Sequence, residues 1–150
     1  MRITIETQVK GHYKDIMQRF DRKLFEALKP KNADMEIIEF TGSKKGDRVK
    51  LRFNKPIKAD WISRITEHGE NDREAWFTDE GAKLPFPLSY WRHKHVVRKI
   101  TDDSSLIIDD ITYKAHNFLL TALLRPAIYF GFAPRRKIYR EYFGECEVYQ

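Results

Sequence analysis

The chain has 150 residues, of which 41% are hydrophobic and 13% aromatic, and its formal charge is +6 at pH 7. This length suits one domain, expected to span residues 1–150, and the aromatic content argues against disorder. The net charge is modest for a chain with 33% charged residues, which indicates a mixed solvated surface and excludes a nucleic-acid partner unless the basic residues gather on one face.

The cysteine content also limits the class of protein. Cys146 is the single cysteine, so neither an intramolecular disulfide nor a thiolate metal cluster can form. The N-terminus has the alternation of a strand rather than the charged and apolar regions of a secretory signal. We therefore expect a soluble, cytoplasmic protein.

The N-terminal part of the chain predicts a strand followed by helix. Residues Arg2–Val9 alternate between apolar and polar side chains, which is typical of a half-buried strand. From His12 to Leu28 the apolar residues recur every three or four positions, as on one face of a helix. Asp21 can divide this region into two short helices, and Pro30 ends it.

Residues 34–87 predict four strands joined by turns. Glycine and polar residues mark turns at Gly42–Asp47 and His68–Asp72, and the loop Gly81–Pro87 contains two prolines. The segments between them read as the strands Met35–Thr41, Arg48–Asn54, Ile57–Glu67 and Arg73–Glu80.

The most informative segment comes next, with two long strand patterns, Leu88–Thr101 and Ser105–Ala115, separated by a three-residue turn. Because side chains alternate along a strand, each run presents a defined set on one face. Pairing the two runs would place imidazoles, a carboxylate, a phenol and an indole on one wall, a mixture typical of a ligand pocket. These side chains are Trp91, His93, His95 and Val97 on the first run, and Asp109, Ile111 and Tyr113 on the second.

The C-terminal segment predicts a long helix over Phe118–Phe143, with Asn117 as its N-cap. Pro126 and Pro134 should kink or interrupt it. Its first half is apolar but too short to span a membrane, and it is expected to cover the sheet. The covering side chains would be Leu119, Leu120, Leu123, Ile128 and Phe132.

The basic side chains of the second half are expected to form a solvated face. The alternative is contact with an anionic membrane or with a ligand carboxylate. Membrane binding would need an exposed apolar face, which the sheet is expected to occupy. The side chains concerned are Arg135, Arg136, Lys137 and Arg140.

The order of elements predicts an α+β protein with a curved, seven-stranded antiparallel sheet. Consecutive strands with short turns indicate a meander, and a sheet of this size must curl to bury one face. Two short helices accompany the sheet, and the long C-terminal helix is expected to cover its concave face.

This order resembles that of the START-like, or SRPBCC, helix-grip superfamily. The resemblance rests on Trp91-x-His93-x-His95, Asp109-x-Ile111-x-Tyr113 and the helix from Arg125–Pro126 to Arg140. The superfamily includes birch-pollen-type allergens, polyketide cyclases/dehydrases and coenzyme Q-binding proteins. The resemblance implies a hydrophobic cavity between the sheet and the long helix. Most members bind lipids, sterols, polyketides or other apolar molecules, and no catalytic residues are common to all of them.

Two roles are open to the histidines. A metal site would need a third ligand beside His93 and His95, such as Asp109 or His116. Alternatively, the two rings are hydrogen-bonded pocket or core residues, which we favour because His-x-His arises often by chance. We accordingly predict no metal and no cofactor.

We therefore predict that the chain binds a hydrophobic or amphipathic small molecule such as a lipid, a quinone or a polyketide. The alternative is a cyclase/dehydrase-type enzyme, with a His-Asp acid-base pair and a phenol that donates to a substrate carbonyl. Its catalytic residues would be His93, His95, Asp109 and Tyr113. The predicted ligand-binding residues are Trp61, Trp76, Phe77, Trp91, His93, His95, Asp109, Ile111, Tyr113, Leu120 and Leu123.

Overall fold

The computed structural model describes residues 1–31, 33–55 and 58–146. Within these ranges, seven strands and four helices follow one another along the chain. Their bounds are β1 (Arg2–Lys10), α1 (Tyr13–Gln18), α2 (Arg22–Leu28), β2 (Met35–Phe40), β3 (Arg48–Phe53), β4 (Ala59–Glu70), β5 (Glu74–Lys83), β6 (Leu88–Thr101), β7 (Ser104–Ala115), α3 (Phe118–Phe132) and α4 (Arg135–Phe143).

The strands form one antiparallel sheet in the order β1-β7-β6-β5-β4-β3-β2. Six strands follow one another as a meander, and β1 pairs with β7 at the far end. Bulges in the β4–β5 ladder bend the sheet, because each extra residue increases the local twist. The predicted α+β architecture, with a curled sheet beneath C-terminal helices, is thus confirmed.

The N-terminal helical region is divided at the predicted residue. Asp21 caps α2, and its Oδ1 accepts a hydrogen bond from the backbone N–H of Leu24 at 3.0 Å. Ile16 and Leu24 are buried in the core cluster at this end of the sheet, together with Phe20 from the link between the helices. The two short helices therefore close one end of the curled sheet.

Two glycines that predict turns lie inside strands instead. A Cβ on Gly69 would lie 2.7 Å from the Trp76 ring, and one on Gly81 would lie 2.5 Å from Leu84. These positions favour glycine because a neighbouring side chain covers the backbone. The predicted turn His68–Asp72 and loop Gly81–Pro87 are consequently shorter, and β4 and β5 longer, than the sequence indicates. The predicted start of the fourth strand at Ile57 lies outside the described residues.

The C-terminal helix is divided at Pro134, which separates α3 from α4, whereas Pro126 lies inside α3 without ending it. Asn117 is the predicted N-cap, and its Oδ1 accepts from the backbone N–H of Leu120 at 2.9 Å. Leu124, Ile128 and Phe132 pack towards the sheet. No helix among the described residues is long and apolar enough to cross a membrane.

One side of α3 is exposed to solvent, although it is expected to cover the sheet. Leu119 and Leu123 were expected to cover the sheet but are 67% and 64% exposed, and Phe118 and Phe130 are exposed beside them. The first half of α3 is apolar on several faces, and only the row through Leu124 can meet the sheet. Hydrophobicity alone therefore did not identify the packed face.

Thr121 attaches the start of α3 to the end of β7. Its hydroxyl accepts from the backbone N–H of Ala115 at 2.9 Å and donates to the carbonyl of Asn117 at 2.8 Å. Thr121→Val keeps the shape but leaves the buried Ala115 N–H without a partner. We expect the free energy of unfolding to fall by about 1–3 kcal/mol in urea titrations.

The exposed Thr4 on β1 supplies the matched control. Thr4→Val should change the free energy of unfolding by no more than about 0.5 kcal/mol. Equal effects of the two substitutions would show that the Thr121 hydroxyl does not stabilise this junction.

Candidate functional site

A cavity of about 320 Å³ lies between the inner face of the sheet and α3. This volume is at the lower end of the range for small-molecule sites. Residues of α2, of β2 to β6, of α3 and of the start of α4 line it, and most of them are apolar. The polar side chains of its lining are Lys29, Ser63, Asp79, His93, His95 and Arg135.

Strand register brings four ionisable groups together on the wall of this cavity. Asp79 on β5 lies opposite His93 on β6, and His95 lies opposite Asp109 on β7. All four side chains point to the inner face, because each lies an even number of residues from its inward-facing neighbours on the same strand. We call these four residues the His–Asp cluster.

Each imidazole of the cluster is paired with one carboxylate. The Nε2 atom of His93 lies 2.8 Å from Oδ1 of Asp109, and Nε2 of His95 lies 2.8 Å from Oδ2 of Asp79. The two rings stack with their centroids 3.7 Å apart. The second nitrogen of each ring faces the other carboxylate, at 3.8 Å for His93 and Asp79 and at 3.9 Å for His95 and Asp109.

Helix α4 contributes two further groups to the cluster. Arg135 Nη1 donates to Asp109 Oδ1 at 3.3 Å, and the Tyr139 hydroxyl lies 3.4 Å from the same oxygen. The expected solvated face is therefore wrong for Arg135, whose side chain is only 14% exposed. Because α4 begins at Arg135 directly after the Pro134 break, this side chain turns towards the sheet.

Both carboxylates of the cluster are held in their charged form. Burial opposes the ionisation of Asp109, but the hydrogen bond with His93 and the charge of Arg135 keep its pKa well below the usual range. The same competition, with His95 as the hydrogen-bond partner, lowers the pKa of Asp79. Burial, followed by the negative charge of Asp109, raises the pKa of Tyr139, so its phenol stays protonated.

Five of the predicted ligand-binding residues line the cavity: Trp61, Phe77, Trp91, His93 and His95. Asp109 is 1% exposed and lies behind the histidines, where it holds them rather than facing the cavity. A role of these residues in ligand binding stays a prediction.

The other predicted residues lie outside the cavity lining. Trp76 was expected on the cavity wall but lies on the outer face of the sheet, under Lys94, because it alternates with the inward-facing Phe77. Ile111 and Tyr113 are buried in the core against α3, and the Tyr113 hydroxyl donates to the carbonyl of Thr121 at 3.0 Å. This phenol is therefore not placed to reach a substrate. Leu120 and Leu123 on α3 are absent from the described lining.

Sequence reasoning missed Asp79 and Tyr139, and it considered Arg135 only as an alternative contact for a ligand carboxylate. Asp79 lies two residues after Phe77, so both side chains are on the inner face of β5. Pairing β5 with β6 would then have placed Asp79 beside the histidines. The other two come from α4, and their approach to Asp109 depends on the position of the Pro134 break, which spacing alone does not give.

The cluster also contains groups that could ligate a metal. Asp79, His93 and His95 each offer one ligand atom, and these atoms lie within 4.8 Å of one another. The third group is thus Asp79 rather than the Asp109 or His116 considered from the sequence. His116 is exposed and stacks on Phe86.

The buried His95 ring should make stability depend on pH. Burial, with a further effect of the neighbouring His93, lowers the pKa of His95 to about 4 from its ordinary value of 6.5. As the pH falls, the unfolded chain gains a proton on this ring near pH 6.5 and the folded chain only near pH 4. The free energy of unfolding should therefore decrease as pH falls through this window, by at most about 1.4 kcal/mol per pH unit.

Urea unfolding of chelator-treated protein between about pH 7 and pH 5 measures this slope, above the range in which ordinary carboxyl groups titrate. The variant His95→Gln, which can still donate to Asp79, should show a smaller slope. A wild-type stability that is constant over this range would contradict the assignment of a buried neutral ring.

Comparisons with known sequences give a partial match. No protein-family model matches the chain. An uncharacterized protein of Methanocaldococcus jannaschii is 33% identical over 115 residues, which is 76% of this chain. The chain spans about a quarter of the length of that curated relative, because the match covers 24% of it.

Solved structures match nearly the whole chain. Norcoclaurine synthase from Thalictrum flavum aligns with a TM-score of 0.70 and 16% identity over 97% of this chain and 95% of that one. The ZhuI aromatase/cyclase from Streptomyces sp. R1128 has a TM-score of 0.70 and 8% identity over 95% and 92%. A START superfamily protein from Mycobacterium smegmatis has a TM-score of 0.66 and 9% identity over 94% and 98%.

At such low identities these likenesses concern the fold and not the activity. They agree with the observed order of elements, in which a curled antiparallel sheet is covered by C-terminal helices. The chain therefore has the START-like, or SRPBCC, helix-grip fold that its sequence predicted.

Proposed function

We propose that the chain binds a hydrophobic or amphipathic small molecule, such as a lipid, a quinone or a polyketide, in the cavity between the sheet and α3. The observation that carries this proposal is an apolar cavity of about 320 Å³ with charged groups confined to part of its lining. Burying the apolar part of a ligand there would contribute about 25 cal/mol for each Å², before the entropy cost of binding is subtracted.

The polar groups of the lining indicate which polar groups the ligand should carry beside its apolar part. Asp79 is an ionised acceptor at the cavity wall, and Arg135 is a donor elsewhere in the same lining. A ligand hydroxyl could donate to the first, and a ligand carbonyl could accept from the second. This combination supports an amphipathic guest rather than a pure hydrocarbon.

The part of the cavity lining that α3 provides supports entry of the ligand at the edge of this helix. Ala127 and Gly131 of this helix line the cavity and are also exposed to solvent. We expect a small displacement of α3 to admit the ligand. We expect this displacement to occur around Pro126, which lies inside α3.

Gly131 offers a way to block the cavity. A Cβ at this position would meet nothing within 4 Å, and the residue lies inside α3, so a larger side chain is compatible with the helix. Gly131→Trp should fill part of the cavity and weaken binding of the fluorescent amphiphile 1-anilinonaphthalene-8-sulfonate at least tenfold. Fluorescence titration measures this affinity, and displacement by a fatty acid, a quinone or a naphthol ranks the ligand classes.

The neighbouring Phe130 provides the matched control, because it is 70% exposed and does not line the cavity. Phe130→Trp should leave the affinity within about twofold of wild type. If both variants bind the amphiphile as wild type does, or if wild type binds none of the probes, the proposed function is wrong.

A second candidate is a cyclase/dehydrase-type enzyme, favoured by the two imidazole–carboxylate pairs at 2.8 Å beside the cavity. In an aldol-type cyclisation, an imidazole would take a proton from a carbon next to a carbonyl. That carbon would form a bond to a second carbonyl carbon, and the resulting alkoxide would regain a proton. The names of two structures with a similar fold, a synthase and an aromatase/cyclase, support testing this reaction.

The enzyme hypothesis predicts separate effects on turnover and binding. With a poly-β-ketone substrate, His95→Gln should abolish cyclised product while the dissociation constant stays within a few-fold of wild type. His116→Gln, at an exposed ring outside the cavity lining, should alter neither quantity. Undiminished product from His95→Gln would contradict catalysis by this ring.

A further inference from the structure

The ligand atoms of Asp79, His93 and His95 converge from two adjacent strands. Oδ2 of Asp79 lies 2.8 Å from Nε2 of His95 and 3.8 Å from Nδ1 of His93. Metal bonds of about 2.1 Å in a tetrahedral arrangement separate neighbouring ligand atoms by about 3.4 Å. The observed separations lie on either side of this value, so small side-chain movements would suffice to bind an ion.

The cluster has too few imidazole protons to give every ring nitrogen that faces a carboxylate a hydrogen bond. A neutral imidazole carries one N–H. If His93 donates from Nε2 to Asp109, its Nδ1 presents a lone pair to the Asp79 carboxylate. If His95 donates from Nε2 to Asp79, its Nδ1 presents a lone pair towards Asp109. Each ring thus has one nitrogen facing a carboxylate without a proton between them.

Two fully buried atoms of the cluster have no hydrogen-bond partner among the residues that the structure describes. They are Nδ1 of His95 and Oδ2 of Asp109. Such atoms are costly in a protein interior and call for an explanation. A cation bound to Nε2 of His95 would place the ring proton on Nδ1, from where it could donate to Asp109.

Asp109 is placed to orient both imidazoles of such a site. It lies 2.8 Å from Nε2 of His93 and 3.9 Å from Nδ1 of His95, which are the nitrogens that point away from Asp79. A carboxylate that holds the far nitrogen of a ligating histidine is a regular feature of metal sites. It fixes the tautomer and increases the basicity of the ring.

The charge of the cluster also favours a cation. The two carboxylates of the cluster, Asp79 and Asp109, outnumber the one guanidinium that contacts it, Arg135, so these three groups together carry a net charge of −1. Arg135 contacts Asp109, on the opposite side of the histidines from Asp79. A divalent ion beside Asp79 would be attracted by the nearer carboxylate and would face the more distant guanidinium.

We propose that Asp79, His93 and His95 bind a divalent transition metal ion, with Asp109 orienting the two histidines. Two imidazoles and one carboxylate suit Zn²⁺, Co²⁺ or Fe²⁺ and leave coordination positions open. The three ligands line the cavity, so the open positions face the space proposed for the organic ligand. This inference reverses the sequence-based expectation of no metal, and it holds whether or not the cavity takes an organic ligand.

Isothermal titration of the untagged, chelator-treated chain with Zn²⁺ tests the proposal. We expect one ion per chain with a micromolar or lower dissociation constant. Asp79→Asn and His95→Gln should each weaken binding at least about tenfold. His116→Gln removes an exposed ring outside the site and should bind Zn²⁺ as wild type does. Co²⁺ should give visible absorption bands in wild type that are lost in Asp79→Asn.

A measurement on the wild-type chain keeps the test decisive if a variant fails to fold. In nitrogen-15 NMR spectra of the imidazoles, Zn²⁺ should shift Nδ1 of His93 and Nε2 of His95 and place the His95 proton on Nδ1. Absence of heat above the dilution blank overturns the proposal. The proposal is also overturned if Zn²⁺ binds without shifting the signals of these two nitrogens, or if it binds equally well to both folded variants.

The design separates this proposal from the proposed function. The Zn²⁺ titration contains no organic ligand, and Gly131→Trp keeps all three metal ligands while obstructing the cavity. This variant should lose the amphiphile and retain Zn²⁺. A chain that binds Zn²⁺ but no amphiphile would refute the proposed function alone, and the reverse result would refute the metal site alone.

Discussion

The pairing of a buried and a half-buried carboxylate with two stacked imidazoles is the constraint on which the rest of the site depends. Charged groups inside an apolar interior are costly unless hydrogen bonds and opposite charges compensate them. Asp109 receives this compensation from His93, Arg135 and Tyr139, whereas Asp79 receives it from His95. The polar wall of the cavity therefore exists only while β5, β6, β7 and α4 keep their relative positions.

This requirement connects the helices to the sheet. Arg135 and Tyr139 join α4 to the middle of β7, while Thr121 joins the start of α3 to its end. Between these two attachments, α3 crosses the cavity with Ile128 and Phe132 against the sheet and Gly131 at the edge. Under the proposed function, α3 would cover the ligand, and a small displacement of this helix would admit it. The cluster thus both anchors the C-terminal helices and places polar groups beneath α3.

The fold was largely predictable because its signals are local. Alternation along Arg2–Val9 and Leu88–Ala115 gave the strands and the inward-facing histidines, and Asp21 gave the break between the short helices. The site was only half predictable, because Asp79 joins it through the β5–β6 register and Arg135 through a helix break. The glycines at 69 and 81 led to strand bounds that are too short, since their close approach to Trp76 and Leu84 is visible only once the chain is folded.

Native mass spectrometry of the chain purified from its own source, without added ligand, tests the central claim most directly. The claim is that the space between the sheet and α3 holds an amphipathic guest whose polar end meets the cluster. We predict a species heavier than the 17.9 kDa chain by one small organic molecule, which dissociates when the protein is unfolded. A spectrum with only the bare chain, unchanged after incubation with amphiphiles of each class, would contradict the claim.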